Sequence, residues 1–202
     1  MTTKRDEVNI PGDHAGIYFI GLLIVGWAKI ENLIEATLHA YLASHPVGYD
    51  LVETLGGEAK IDLLISYLLI ENRNKRFKQH CVDLRKDFLA CRDNRNFLAH
   101  GLIHQRSDGG LIVERLTKKS KRRVMQWVTL KQLNDLHLDM AQVLDALRFA
   151  MDNTHSVRKH IKGGSRLGPL PRRISQPRRL SEILPEVRRK PTRISKSRAT
   201  TS

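Results

Sequence analysis

The stretch Lys75–Gly101, KRFKQHCVDLRKDFLACRDNRNFLAHG, decides how the rest of the chain is read. Its apolar residues fall at Phe77, Cys81, Leu84, Phe88, Cys91 and Leu98, with Arg95 filling the one gap in a series of four- and three-residue steps. That spacing returns each side chain to one side of an α-helix, and it predicts a helix over about 75–99 that packs against other helices. The run stops at His100–Gly101, glycine being the usual helix-stop residue. A packing helix that carries arginine on its apolar stripe and ends on histidine raises the question of what those two side chains do.

Outward from this helix the chain reads as mainly helical. Upstream, Leu23, Trp27, Ile30, Ile34, Leu38 and Tyr41 keep helical spacing and predict a first long helix from about Asp13, which can cap it, to about Ser44, before His45–Pro46. A loop containing Gly48 follows, then GGEAKIDLLISYLLI, whose Ile61, Leu64, Ile65 and Leu68 share a face of a helix starting near Glu58. Downstream of Gly101 the pattern changes to short runs rich in β-branched and aromatic residues: GLIHQ, GGLIVERL and RRVMQWVTL. They predict a small antiparallel sheet of two or three strands, with SDGG at Ser107–Gly110 as a hairpin turn and the basic run Lys118–Arg123 at the second turn. Thr129 with Gln132 forms a capping-box pattern that opens a last helix ending near Asn153, its apolar face made by Leu133, Leu136, Met140, Val143, Leu144 and Leu147. The fold class expected is thus an antiparallel bundle of about four long helices, with a small β insertion over about 102–128 before the last. The helical domain covers 13–156, preceded by an N-terminal arm, 1–12.

The 202-residue chain has a net charge of +14, and its placement matters more than its size. Residues 157–202 hold 14 Lys+Arg against 2 Asp+Glu, a net of +12, which leaves the preceding 156 residues at +2. The body is nearly neutral and the charge sits in a segment rich in Pro, Ser and Arg. That segment has too little apolar surface to offset the entropy of ordering, so it is expected to be disordered when free. It contains a loose repeat, PRRIS, PRRLS and PTRIS, and a short apolar island, LSEILPEV at Leu180–Val187, suited to folding on a partner. The two cysteines, Cys81 and Cys91, lie ten positions apart on one predicted helix, roughly 15 Å along its axis, too far for a disulfide. They are expected to be buried thiols in a reducing compartment. The most apolar run, Ile17–Ala28, has 12 residues and is followed at once by Lys29 and Glu31, short of the roughly 20 that span a bilayer. A cytoplasmic protein with no membrane partner is expected.

RNFLAHG at the end of a long helix resembles the signature of HEPN domains, all-helical domains of which many are metal-independent endoribonucleases of toxin–antitoxin and phage-defence systems. Their motif is an Arg, four to six residues, then a His, often with a polar residue after the Arg. Arg95 matches the arginine, Asn96 the polar residue and His100 the histidine, with four residues between. GWAKIENLIE and EAKIDLL also resemble what the family shows in its first two helices, and the likeness covers roughly Asp13 to Asn153. The loose pattern occurs three times, also at Arg73–His80 and Arg148–His155. Arg73 lies in a polar junction between helices and His155 at a helix end, so only Arg95–His100 sits on a packing helix.

The residue types suit the chemistry. RNA carries its own nucleophile, the 2′-hydroxyl, and histidine can take or give a proton near neutral pH. Arginine stays charged and offers a fork of donors to phosphate oxygens. Asn96 could hold the phosphate or orient His100, and Arg92 could extend the anion site. No metal or other cofactor is expected. Residues five apart on a helix lie about 140° apart around its axis, so Arg95 and His100 do not point at one spot unless the helix frays or two chains share a groove. HEPN proteins are in general dimers with the motif in the interface cleft, so the resemblance implies a homodimer. A structural role is the other reading: Arg95 paired with Glu31 or Glu35, and His100 capping the helix end.

These observations lead to the expectation of an endoribonuclease, with Arg95 and His100 catalytic, Asn96 and Arg92 on the substrate, RNA as substrate and an antitoxin as a possible protein partner. The alternative is a non-catalytic helical dimer that binds nucleic acid or protein through its basic tail.

Overall fold

The structure, a computed structural model, describes residues 14–42, 47–116, 123–154, 177 and 180. Five helices and three strands follow in order: α1 (Ala15–Leu42), α2 (Gly48–Thr54), α3 (Gly57–Glu71), α4 (Lys75–Ala99), β1 (Leu102–Gln105), β2 (Leu111–Leu116), β3 (Arg123–Val128) and α5 (Leu130–Asp152). The fold is mainly α with a small antiparallel sheet of order β1-β2-β3, set between the last two helices in sequence.

The core lies among α1, α3, α4 and α5. Leu23, Trp27, Ile30, Ile34 and Leu38 of α1 meet Ile61, Leu64 and Leu68 of α3, the stripe of α4, and Leu133, Met140, Val143 and Leu147 of α5. Phe77, Cys81, Leu84, Phe88 and Cys91 are each 0–1% exposed. Burial at this depth accounts for their helical spacing, since each contributes on the order of 1.5–3 kcal/mol of transfer free energy for a large side chain. It also means that the α4 stripe is consumed within a single chain and leaves no apolar surface over for a second one. Both cysteines are free and buried, and burial pushes the Cys81 thiol up to about 12.

Helix α2 departs from the sequence reading, which gives Gly48 to a loop. Its seven residues, GYDLVET, bury only Gly48 and Val52, so no amphipathic repeat announces it. By length and composition α1 could cross a bilayer; here Leu23, Trp27, Ile30, Ile34 and Leu38 lie in the core, while Ile17, Tyr18, Ile24 and Val25 stay exposed.

The helix ends follow local chemistry. The Asn74 side chain caps α4 by accepting from Arg76 N at 2.8 Å. Thr129 and Gln132 make the reciprocal capping box that starts α5, with Thr129 N donating to Gln132 Oε1 at 2.8 Å and Gln132 N to Thr129 Oγ1 at 3.3 Å. The expected cap at Asp13 and the turn at 118–122 lie outside the described residues. The β1–β2 turn closes where Arg106 N donates to Gly110 O at 3.0 Å, and Gly109 takes the left-handed conformation, φ 78°, that favours glycine. Hydrogen bonds from Arg106 and from the Gly110 N–H hold the Asp108 carboxyl below its ordinary range.

His80 links α4 to α5. Its Nε2 lies 3.0 Å from Ala146 O, and since a carbonyl only accepts, Nε2 carries the hydrogen and donates it. Burial lowers its pKa from the ordinary 6.5, against smaller opposing effects of Ala146, Asp83 and Asp87. Protonation therefore favours the unfolded chain, whose His80 titrates near 6.5. The stability contributed is present above about pH 6.5 and is lost as pH falls through the folded-state pKa. Thermal melts from pH 7.5 to pH 5 should show a Tm that falls with pH, less steeply for His80→Gln; parallel slopes would remove His80 from the account.

Candidate functional site

The last three turns of α4 carry every residue singled out in the sequence. Helical geometry sorts them into rows. Arg92, Asn96 and His100 are four apart and follow one another down a single row, while Arg95 lies about 60° from Arg92 and about 140° from His100 around the axis. The helix is regular to Ala99, and His100 N donates to Asn96 O at 3.2 Å, so no unwinding swings His100 toward Arg95. Within one chain the two are not brought together.

Arg95 turns toward α1. Its Nη2 donates to Glu31 Oε1 at 3.1 Å, and its Cζ sits 5.2 Å from the centroid of the Trp27 ring. The ring is in the core, so the guanidinium covers the edge of the core there and meets a carboxylate with one end. This answers how an arginine replaces an apolar residue in the α4 stripe: it packs as an apolar plate at the rim. Among the described residues, the buried Nε atoms of Arg95 and Arg92 have no hydrogen-bond partner.

Arg92 turns toward α3, where its Nη1 donates to Glu58 Oε2 at 3.0 Å, and its Nη2 lies 3.3 Å from Asp93 Oδ1 on its own helix. Together with the Lys60–Glu35 pair and Arg85 bonded to Asp62 and Glu58, these contacts form a ladder of opposite charges along the seam of α1, α3 and α4. Each pair is partly exposed, worth roughly 0–1 kcal/mol. The ladder fixes where the arginine forks sit.

His100 is different. It is exposed at the C-cap of α4, with φ −108° and ψ 7°, and its ring has no polar partner among the described residues. Gly101 next to it is not in the left-handed conformation that commonly ends helices; among the described residues only Gly109 is a glycine with positive φ. Gly101 is needed for another reason: a Cβ there would lie 2.2 Å from Val113 Cγ1 and 3.1 Å from Phe97 O. The small residue lets β2 lie against the end of α4, which holds the His100 turn between helix and sheet.

Three contributors to this region escape the sequence reading. Trp27 and Glu58 lie far from the motif in sequence, and nothing local announces them. Asn94, 2% exposed, does leave a trace: Ala90, Asn94 and Phe97 make a second row of helical steps beside the main stripe. Among the described residues no group of three or more His, Cys, Asp or Glu is gathered to hold a metal ion. Arg115 Cζ lies 5.5 Å from the Phe97 ring, adding a further cation beside the His100 turn.

The fold and site define a mainly helical protein whose 25-residue fourth helix ends in ion-paired arginines and an exposed histidine. Comparison with known proteins finds no matching family model, no matching curated protein and no matching solved structure.

Proposed function

We propose that the protein is a HEPN-like, metal-independent endoribonuclease, with Arg95 and His100 as its catalytic residues and Arg92 and Asn96 on the substrate. The observation that carries the reading is the row Arg92–Asn96–His100 on the solvent side of α4, flanked by the Arg95 guanidinium and ended by an exposed histidine that has no polar partner among the described residues. A phosphodiester lying along this row meets cationic forks at one end and an imidazole at the other. The imidazole would take the 2′-hydroxyl proton or protonate the leaving 5′-oxygen, and the guanidinium would stabilise charge on the phosphate.

Because Arg95 and His100 diverge in one chain, the proposal places the C-terminal faces of two α4 helices across a two-fold axis, so that Arg95 of one and His100 of the other line one groove. Such an interface would use the exposed row and not the buried stripe. In a toxin–antitoxin or defence setting a second protein would cover that groove. The test is incubation of purified protein with RNA in excess chelator: cleavage leaving a 2′,3′-cyclic phosphate is expected, and intact RNA would end the reading.

A second reading is favoured by the Glu31–Arg95–Trp27 contact, which gives Arg95 a packing role without chemistry. The protein would then be a non-catalytic helical module that binds nucleic acid or protein through its basic C-terminal region. Where RNA is the ligand, residues 157–202, with a net charge of +12, would release counterions on binding. Replacing Arg188, Arg189, Lys190 and Arg193 by Gln should reduce the slope of log affinity against log salt by up to about 3 on single-stranded RNA, at about 0.7 per phosphate contact. An unchanged slope in a salt titration would take RNA away from this segment.

A further inference from the structure

The repeat in the C-terminal sequence, PRRIS at Pro171–Ser175, PRRLS at Pro177–Ser181 and PTRIS at Pro191–Ser195, plays no part in the cleavage reading. One residue of its middle copy packs into the folded domain, against the expectation that this region adds nothing to a core. Pro177 is buried, and Leu180 is 2% exposed and belongs to the main hydrophobic cluster. The Leu180 backbone N–H donates to Asn94 Oδ1 at 2.8 Å. Asn94 is as deeply buried as Leu180. A buried amide oxygen that accepts a main-chain N–H is directional and fixes a segment's register, while a leucine side chain supplies apolar burial. The two contacts have different physical origins and select the same residue. The surroundings match in charge as well. Asp87 on α4 and Asp139 on α5 both lie near the Cys91 thiol, one turn of helix from Asn94. Every copy of the repeat carries arginine immediately before its Ile or Leu.

We infer that the Asn94 row of α4 is a docking site for a segment of the pattern Pro–x–Arg–(Ile/Leu)–Ser, and that its occupant is the Pro177–Ser181 copy in this chain's own C-terminal region. Leucine fills the seat and the peptide N–H sets the register. The basic region is thereby held at the same end of α4 as Arg92, Arg95 and His100, and not joined to the domain through residue 156 alone. Ile174 and Ile194 occupy the Leu180 position in the other copies, so the repeat is three versions of one ligand.

The test uses the full chain. In trypsin digestion, the bonds after Arg178 and Arg179 should be cut at least tenfold more slowly than those after Arg188 and Arg189. Leu180→Ala, which removes the apolar anchor and leaves both bonds open to trypsin, should abolish that difference. A fluorescent peptide of residues 176–183 should bind the Leu180→Asp chain, whose seat is empty, at least tenfold more tightly than wild type, whose seat is filled. Adding Asn94→Ala to the Leu180→Asp chain should weaken it again. Equal cutting at both arginine pairs in wild type overturns the proposal. So does equal affinity of the peptide for the two chains, or equal binding of a peptide with Leu replaced by Asp, which would reduce the contact to charge alone. None of these readouts depends on RNA cleavage, so failure of the nuclease reading leaves the docking test intact.

Discussion

His100→Ala should lower RNA cleavage by about 10²–10⁴-fold, the usual contribution of a positioned general acid or base. The same variant should melt at the wild-type temperature, because the His100 ring is exposed and holds no polar partner among the described residues. That separation makes the variant informative: a large loss of rate without loss of fold has no structural explanation. Arg95 does not offer it. Arg95→Ala removes the Glu31 ion pair and the cover over Trp27 as well as any phosphate contact. Arg95→Lys is the better companion, since it keeps the charge and loses the planar fork. Single-turnover cleavage of a defined RNA in chelator measures both. If His100→Ala cuts as well as wild type, the histidine is a helix-end residue and the tail-binding reading takes precedence.

The second large effect is on stability. Phe88→Ala should cost about 3–5 kcal/mol, the range for emptying a fully buried aromatic site. Phe88 is 0% exposed and its ring packs 5.0 Å from that of Trp27, at an interplanar angle of 35°. The site lies where α4 meets α1, between long helices pinned by the charge ladder, so collapse into the void is resisted and the cost falls at the upper end. For a domain of this size a loss of that order lowers Tm by roughly 10 °C. Calorimetry or a thermal melt followed by circular dichroism checks it. A shift below 3 °C would mean that Phe88 is not a central packing residue. Because Trp27 also lies under Arg95, the variant should lose activity along with stability, in contrast to His100→Ala.

The sequence alone determined the helices that bury a regular stripe. In α4 the steps from Phe77 to Leu98 leave one amphipathic solution, and its C-terminal bound follows from His100–Gly101. α5 was legible for the same reason, with a capping box whose two hydrogen bonds are local. The sheet was legible from β-branched runs and the SDGG turn, which needs only neighbouring residues to form. What these have in common is that the physics lies within about seven residues. α2 buries too little to leave a pattern, and so it did not appear.

Tertiary structure decided everything that depends on distant partners. Arg95 is an interruption of a stripe in the sequence; only the fold supplies Trp27 beside it and Glu31 at its end, from 64 positions away. For Arg92 the fold adds Glu58 from α3, a partner 34 positions away that no local pattern names. Whether the apolar stripe served a core or an interface could not be read from periodicity, because both bury the same side chains; the packing of α1, α3 and α5 assigned it to the core. Leu180 is the clearest case. It opens the short apolar island LSEILPEV, which marks a segment suited to folding on something but does not say on what, and its partner Asn94 lies 86 residues earlier. A single leucine with one main-chain hydrogen bond contributes to a core only when a seat of the right shape already exists, and that seat is a property of the folded helices.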